Sequence, residues 1–444
     1  MRGRTSGKLA FFTTNQGSGI KRGFLSKYLS SAGFVFSFNI GLLALYLLSF
    51  NGCKGRQIIR VTPQMNIESP FWVRVLLADN VEKCQLGVRS SFRVFNEEKG
   101  VSEGYFDGFS GGAEISVEEG LIVIGRQRFE AGKITILPDS PHVFRFSGDV
   151  YRGKLRLEVK ADGQSFSVIN VVPLEPYLAG VVGAEMPNYW EPSALESQAI
   201  AARTYCLYIK NRFGGGRSWD VSRSQSNQVY RGVGAESAQV WNAVNATFGQ
   251  VLYSRYPNGR EDLFPAYYSS TCGGHTEASV SVWGESFGPL VGVPCPYCEG
   301  VAKPKYFFWP MVGFDKATVA SRLVAKYPKL KKLGEISDIV VSKESKYGSF
   351  SRLTRVKVAG SGGKSDFIRA EDLRMTLDPT GRKFRSTICE IIDMGDKWAF
   401  ISGRGWGHGV GMCQCGAQGM ARLGRSSNEI LSYYYPGSKV VSTY

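Results

Sequence analysis

Three cysteines and one histidine in the middle of the chain have the spacing of metal ligands. They form the pattern Cys272-x2-His275-x19-Cys295-x2-Cys298. Two close pairs separated by a loop supply four sulfur and nitrogen atoms, which is what a tetrahedral, structural Zn²⁺ site takes. In an exported domain the thiols could instead be oxidised, with a disulfide between Cys295 and Cys298 as the alternative. The imidazole three residues from a cysteine favours the metal, because a disulfide does not require it.

A single carboxyl, that of Glu185 in the segment GAEMP, has neighbours suited to a general acid. Met186, Tyr189 and Trp190 can exclude water from a carboxyl and so raise its pKa. We predict that Glu185 lies in the loop entering the next helix, whose N-terminus opposes this shift by favouring the ionised form. An ordinary solvated or capping carboxylate is the alternative reading of the same residues.

A glycine-rich segment near the C-terminus, GRGWGHGVGMCQCG, contains one histidine, His408. Glycines such as Gly407 permit tight turns and let a bulky ligand approach the backbone. His408 is then a substrate-binding or acid–base group, and a hydrogen-bonded core imidazole is the alternative. Cys413 and Cys415 would face the same side of a strand, which fits a partner cysteine, a metal, or two small buried apolar side chains. We expect them to pack or pair behind the glycine segment and to take no part in catalysis.

Short strands and a few helices must position these residues. Apolar residues recur every three or four positions after Pro192, a residue type that favours the first turn of a helix. The sequence also predicts a hairpin over residues 151–174, a helix at 316–326, and a strand pair at 336–343 and 351–360. The predicted fold class is α+β, a mostly antiparallel β core with a few helices lining a cleft, preceded by one N-terminal transmembrane helix.

The N-terminus has the pattern of a membrane anchor. Residues 1–31 are rich in lysine and arginine, and residues 32–50 are apolar and uncharged. At about 1.5 Å per residue this run crosses a hydrocarbon core of about 30 Å. We expect a basic cytoplasmic N-terminus, a single-pass signal anchor in the cell membrane, and everything that follows on the periplasmic or cell-wall side. The segment SFNGC, ending at Cys53, loosely resembles a lipobox, so a cleaved lipoprotein is the alternative. A β-rich region at 54–150 then precedes the main domain at 151–444.

The charge of the chain indicates an anionic partner. The sequence has 54 Lys and Arg against 38 Asp and Glu, a formal net charge of +16. Nucleic acid, a lipid surface and an acidic polymer all fit such a balance. The sequence has no basic run interleaved with aromatics and no zinc-finger spacing, which argues against nucleic acid. It also has no HExxH motif, which argues against a zinc hydrolase.

Four segments, taken together and in this order, resemble the stage II sporulation protein D family, which includes the amidase enhancer proteins of bacterial cell walls. They are VVPLEPYLAGVVGAEMP, ALESQAIAARTYCLYI, YYSSTCGGHTEASVSVWGES and GRGWGHGVGMCQCGAQGMARLG. The resemblance extends over the catalytic domain predicted at 151–444. The sequence departs from many relatives at Cys413 and Cys415, where they carry serine and tyrosine.

The resemblance implies a membrane-tethered lytic transglycosylase that cuts peptidoglycan glycan strands, preferably strands stripped of stem peptides, and leaves 1,6-anhydro-N-acetylmuramic acid ends. The family's catalytic glutamate falls on Glu185, and some members hold zinc near the segment SSTCGGHTE. A cell-wall amidase is an implied partner. The alternative within the family is a non-catalytic, wall-binding activator of an N-acetylmuramoyl-L-alanine amidase. The positions that the resemblance assigns to substrate binding are Gln198, Arg203, Tyr205, Gly407 and His408.

Overall fold

The computed structural model describes residues 71–444 of the 444-residue chain. The predicted membrane anchor at 32–50 and the basic segment before it lie outside the described residues. Within residues 71–444 we find no helix that is long and apolar enough to cross a membrane.

Two β-sheets dominate the first part of the described chain. The strands that form them are β1 (Trp72–Val81), β2 (Lys83–Val88), β3 (Phe92–Asn96), β4 (Val101–Phe106), β5 (Phe109–Glu118), β6 (Leu121–Ile124), β7 (Gln127–Phe129), β8 (Lys133–Pro138), β9 (Val143–Phe146), β10 (Asp149–Arg152), β11 (Lys154–Val159), β12 (Phe166–Pro173) and β13 (Val221–Ser222). Among the described strands, one sheet has the order β13-β1-β12-β11-β8-β3-β4 and the other has the order β10-β9-β2-β5-β6-β7.

The predicted hairpin at 151–174 is confirmed, because β11 and β12 pair antiparallel from Lys154 opposite Val171 to Val159 opposite Phe166. Strand β12 is buried along its whole length, and its other edge pairs with β1. Strand β11 also pairs with β8, so strands on both sides of residue 150 share one sheet. Buried side chains of the two sheets belong to one hydrophobic core, which continues under the first helices.

The helices carry several of the residues that line the cleft. Their bounds are α1 (Leu174–Glu185), α2 (Pro192–Phe213), α3 (Ala238–Ala246), α4 (Ser279–Trp283), α5 (Pro304–Phe307), α6 (Lys316–Lys326), α7 (Ala370–Leu377), α8 (Gln414–Arg422) and α9 (Ser427–Tyr434). Helix α2 begins at the predicted Pro192, and α6 has the predicted bounds.

The second part of the chain adds short sheets, some of which extend the first core while the others surround a second core. Its strands are β14 (Gln250–Arg255), β15 (Glu261–Leu263), β16 (Tyr268–Ser269), β17 (Phe308–Trp309), β18 (Val312–Asp315), β19 (Ile336–Tyr347), β20 (Phe350–Gly360), β21 (Ser365–Arg369), β22 (Glu390–Asp393), β23 (Lys397–Ile401), β24 (Gly403–Arg404), β25 (Met412–Cys413) and β26 (Ser438–Ser442).

The predicted strand pair is confirmed as the antiparallel β19–β20 pair. Side chains of β20, β23, α6 and α7 form the second hydrophobic core, with Trp398 buried in it. This core supports α7 and the start of the glycine-rich segment, two elements that line the cleft. Because most strand pairs are antiparallel and the helices do not alternate with parallel strands, the predicted α+β class is confirmed.

Candidate active site and metal centre

A cavity of about 540 Å³ lies where α1, α7, α8 and the glycine-rich segment meet. Four of the predicted site residues line it: Glu185, Tyr205, Gly407 and His408. The wall also includes Trp406 and Gln414, which sequence reasoning had not assigned to the site.

Glu185 is the last residue of α1, so its predicted position in a loop before the next helix is wrong. The segment LEPYLAGVVGAE continues directly from the buried strand β12 and folds as a helix, which ends when Met186 takes an extended backbone conformation. The carboxyl therefore lies at a helix C-terminus, where the partial negative charge of the helix disfavours a second negative charge. This is the opposite of the effect expected from a helix N-terminus.

Two glycines in α1 allow a neighbouring segment to reach the Glu185 carboxyl. A Cβ added to Gly183 would lie 1.9 Å from the carbonyl oxygen of Ala235, and one added to Gly180 would lie 2.5 Å from the ring of Tyr230. The segment beginning at Val229 therefore packs closely along the helix. As a result, the Val229 N–H donates to Glu185 Oε1 at 2.9 Å.

The second oxygen of Glu185 is held by helix α8. Gln414 donates from Nε2 to Glu185 Oε2 at 3.3 Å and, more weakly, to Gln198 Oε1 at 3.5 Å. Gln198 is fully buried behind this contact, and within the described residues its Nε2 has no hydrogen-bond partner. The predicted Gln198 thus lies beside the site, but its contact with Glu185 runs through Gln414.

Burial raises the pKa of the Glu185 carboxyl above its ordinary value, while the hydrogen bonds from Val229 and Gln414 oppose the shift. The neutral acid therefore persists to higher pH than an exposed glutamate would allow. The same two donors stabilise the carboxylate once the proton has left. A group of this kind can both give and take a proton during one reaction.

A second carboxyl, that of Glu371 on α7, lines the same cavity but is already paired. Arg374 contacts it through two nitrogens, with Nη2 at 2.6 Å from Oε1 and Nε at 2.9 Å from Oε2. Burial alone would raise the pKa of Glu371, but the Arg374 guanidinium outweighs it and lowers the pKa. Glu371 is therefore a carboxylate engaged with arginine, in contrast to Glu185.

His408 projects from the glycine-rich segment toward Trp283, with ring centroids 5.0 Å apart. Its Nδ1 accepts a hydrogen bond from the Val410 N–H at 3.0 Å, so the neutral ring carries its proton on Nε2. Burial lowers the pKa of His408 to about 4. The imidazole is therefore uncharged at neutral pH and forms part of the wall. Gly407 beside it has φ 105°, and a Cβ there would lie 2.8 Å from Ser269 Cβ, so the close turn requires glycine.

Arg203 does not line the cavity, which corrects its predicted place among the substrate-binding residues. Its side chain is fully buried and pairs with Glu175, Nε at 2.9 Å from Oε1 and Nη2 at 2.6 Å from Oε2. It also donates to the carbonyl oxygen of Gln250 at 3.0 Å. Arg203 thus joins α1, α2 and β14. Tyr205, two residues further on, does reach the cavity and accepts a hydrogen bond from Asn227 at 3.2 Å.

Four buried cysteines form a cluster behind the glycine-rich segment. The Sγ atoms of Cys272, Cys295, Cys298 and Cys413 all lie within 4.8 Å of one another. Cys272 Sγ and Cys298 Sγ are 3.8 Å apart, and none of the cysteines within residues 71–444 forms a disulfide. Ligands about 2.3 Å from a tetrahedral Zn²⁺ would lie about 3.8 Å apart. The cluster can bind a metal ion, with all four positions filled by protein.

His275, predicted as the fourth ligand, lies outside this cluster, and Cys413 occupies that position. The ring of His275 stacks on Tyr347 with centroids 3.9 Å apart, and its Nδ1 is 2.6 Å from the carbonyl oxygen of Thr276. Cys413 belongs to β25 and is also the N-cap of α8, so Cys413 and Cys415 do not alternate along a strand. Cys415 turns away and accepts a hydrogen bond from Thr271 at 3.2 Å.

The cluster adjoins the cavity that Glu185 lines. Strand β25 pairs with β16, which places Ser269 opposite Cys413, and Ser269 lines the cavity. Gln414, the donor to Glu185, directly follows Cys413. A metal bound by Cys413 would therefore fix the N-terminus of the helix that holds the acid.

Sequence reasoning missed Gln414, Glu371 and Arg374 as cleft residues. The i,i+3 spacing of Glu371 and Arg374 on a short helix was a detectable signal for an ion pair, but not for its place in the cleft. Gln414 is far from Glu185 in the sequence, and no sequence pattern connects the two residues. Cys413 had a weak signal, because a metal and a partner cysteine were among the roles that the sequence left open for it.

Comparisons with known proteins show which family the sequence resembles. A sequence model of the family described as "Stage II sporulation protein" matches residues 162–253, the stretch that contains Glu185, Gln198 and Arg203. The chain is 31% identical over 284 residues to stage II sporulation protein D of Bacillus amyloliquefaciens, covering 60% of this chain and 73% of that one. It is 29% identical over 285 residues to the protein of the same name from Bacillus subtilis, covering 61% and 74%.

A third relative is the amidase enhancer of Bacillus subtilis, 29% identical over 299 residues, covering 60% of this chain and 40% of the enhancer. The fold and site define a cleft that presents one unpaired, partly buried acid next to a cluster of four cysteines. The chain belongs to the stage II sporulation protein D family.

Proposed function

We propose that the protein is a lytic transglycosylase that cleaves peptidoglycan glycan strands, with Glu185 as the acid–base group. One observation supports this most strongly: Glu185 is the cavity carboxyl whose pKa is raised, while the other two carboxyls that line the cavity, Glu371 and Asp372, are paired with Arg374 and Arg369. A hydrolase of the two-carboxylate type needs a second carboxyl that is free to activate water or to act as a nucleophile. A lytic transglycosylase needs only one.

In the proposed reaction, neutral Glu185 protonates the glycosidic oxygen as the bond breaks. The C6 hydroxyl of the muramoyl sugar attacks its own anomeric carbon, which closes a 1,6-anhydro ring. Glu185, now a carboxylate held by the Val229 N–H and the Gln414 amide, accepts the proton from that hydroxyl. The acid returns to its starting state, and no water is consumed.

The alternative function is that of a non-catalytic activator of a cell-wall amidase. The name of one relative, the amidase enhancer, supports this alternative. The two functions differ in their products. The chain incubated alone with peptide-free glycan strands should release 1,6-anhydro ends if it is an enzyme. An activator would release none and would instead accelerate peptide removal by a purified N-acetylmuramoyl-L-alanine amidase acting on intact peptidoglycan.

We also propose that the four-cysteine cluster binds a structural Zn²⁺ through Cys272, Cys295, Cys298 and Cys413. The 3.8 Å separation of Cys272 and Cys298 Sγ suits a tetrahedral metal and is far longer than a disulfide bond. Zinc would link the segment that carries Cys272, Cys295 and Cys298 to the start of α8 at Cys413. It would take no part in the reaction, because the four thiolates leave no position for water or substrate.

The remaining sequence predictions belong to the same proposal. A single-pass anchor at 32–50 would tether the domain at the outer face of the cell membrane, next to its substrate. The net charge of +16 would favour binding to an anionic glycan polymer. We expect a cell-wall amidase to act earlier and to supply the stripped strands.

A further inference from the structure

An arginine in contact with two aromatic rings adjoins the cavity and has no assigned role. The Cζ of Arg385 is 5.2 Å from the ring centre of Tyr306 and 5.0 Å from that of Trp406. The two rings are 5.3 Å apart, and Trp406 lines the cavity that contains Glu185. We refer to Tyr306, Arg385 and Trp406 as the Arg385 subsite.

The Arg385 guanidinium is fixed by backbone contacts that leave part of it free. Its Nε donates to the carbonyl oxygen of Arg382 at 3.0 Å, and its Nη1 donates to that of Lys305. Within residues 71–444, Nη2 has no protein acceptor. The carbonyl oxygen of Arg385 accepts a hydrogen bond from the Gly407 N–H at 2.8 Å. These contacts therefore fix the position of the Arg385 side chain beside the glycine-rich segment before any ligand binds. The N–H groups of Nη2 remain available to a ligand.

The surroundings of Arg385 carry uncompensated positive charge. Lys305, Arg382 and Lys383 are exposed beside it. In the described part of the chain, none of these four side chains forms an ion pair with an acidic residue. The acidic groups on the nearby cavity wall, Glu371 and Asp372, are paired with arginines of α7 and β21. A ligand at this position thus meets a net positive field.

We propose that Arg385 binds the free lactyl carboxylate of a muramoyl residue whose sugar ring packs against Trp406. Arginine forms paired, charge-assisted hydrogen bonds with carboxylates, and an indole presents a flat apolar face to a sugar ring. The proposal rests on the proposed function, because it assumes a glycan strand in the cavity. What it adds is the residue: Arg385 is the side chain that distinguishes a free lactyl carboxylate from one joined to a stem peptide.

The selectivity follows from the chemistry of the lactyl group. In a strand that carries stem peptides, the lactyl carboxyl is part of an amide, which is uncharged and bulky. Removing the peptide restores a carboxylate, which is small and negatively charged. Arg385 can form a charge-assisted hydrogen bond with the free carboxylate but not with the uncharged amide.

The test measures binding in full-length chains that carry Glu185→Gln, so that strands are not cut during the measurement. Two probes are used: peptide-free glycan strands with free lactyl carboxylates, and the same strands with those carboxylates converted to methylamides. The chain with intact Arg385 should bind the free-carboxylate strands about tenfold more tightly, as expected for a charge-assisted hydrogen bond. Arg385→Ala should remove this preference and leave binding of the methylamide strands unchanged.

Two variants keep the result interpretable. Arg385→Lys retains the charge and should retain part of the preference. Arg126→Ala removes an exposed arginine of the β6–β7 turn, outside the cavity wall, and should change binding to neither probe. The proposal is overturned if the chain with intact Arg385 does not distinguish the two strands, or if Arg385→Ala weakens both equally. Turnover is measured separately, with the chain in which Glu185 is intact. If that chain shows the Arg385-dependent preference but releases no anhydro product, the proposed subsite stands and the proposed transglycosylase activity is wrong.

Discussion

Gln414 donates a hydrogen bond to the carboxyl of Glu185 across 229 positions of sequence, with Nε2 3.3 Å from Oε2. Gln414 directly follows Cys413, which belongs to the buried cysteine cluster. The proposed acid and the proposed metal centre are thus connected through the first residue of one helix. The predictions below separate the contributions of these two parts.

Replacing Gln414 by leucine should shift the pH dependence of the reaction. The amide donor stabilises the ionised form of Glu185 and lowers its pKa, so its removal should raise that pKa. A general acid works in its protonated form. The alkaline limb of the kcat/KM profile should therefore move to higher pH, by about one unit for a hydrogen bond to a charged group.

Gln418→Leu is the matched control for this variant. Gln418 is buried on the same helix, but its Oε1 accepts from the Glu191 N–H and does not contact Glu185. Its profile should keep the original alkaline limb. A limb that stays in place in Gln414→Leu, or that moves to lower pH, would contradict the assignment of Glu185 as the acid.

The purified protein should contain about one equivalent of zinc, held by cysteines alone. Cys413→Ser should lower both metal content and melting temperature, because binding of the metal contributes to the stability of the fold. His275→Ala and Cys415→Ser should retain the metal, since neither side chain belongs to the cluster. Elemental analysis and thiol titration of the same samples measure this. A metal-free protein with oxidised cysteines would end the zinc proposal.

Arg203→Ala should destabilise the protein without altering how the remaining folded enzyme handles its substrate. The substitution leaves the Glu175 carboxylate buried without its partner, a change that typically reduces the free energy of unfolding by about 3–5 kcal/mol. Urea unfolding measures the loss. The paired variant Arg203→Met with Glu175→Gln should recover part of it. An unchanged free energy of unfolding combined with a raised KM would instead restore Arg203 as a substrate-binding residue.

Local sequence patterns predicted the elements better than the contacts between them. The helices at Pro192 and at 316–326 were predictable because apolar spacing and a first-turn proline act within one helix. Glu185 was misplaced because it was predicted to lie in the loop entering the helix at Pro192, whereas α1 extends to Glu185, and its Gly180 and Gly183 let another segment pack closely against it. Their role depends on a segment some fifty residues away, which no local pattern reports.

The four-cysteine cluster was predicted in part for the same reason. Cys272, Cys295 and Cys298 lie close in sequence, and their spacing was informative. Cys413 is 141 positions from Cys272 and reaches it only because β25 pairs with β16. His275 had suitable chemistry and spacing, but its ring stacks on Tyr347, a residue brought there by the β19–β20 pair. The spacing of candidate ligands in the sequence therefore could not predict these long-range contacts.

The most direct test of the central claim is mass analysis of the products formed from peptide-free glycan strands by the protein and by its Glu185→Gln variant. The amide keeps the shape of the carboxyl, but its N–H protons are not acidic enough to be transferred to the glycosidic oxygen. The unsubstituted protein should therefore release fragments ending in 1,6-anhydro-N-acetylmuramic acid, and Glu185→Gln should bind the same strands and release none. Anhydro products at an undiminished rate from Glu185→Gln, or reducing ends in place of anhydro ends from the unsubstituted protein, would contradict the account.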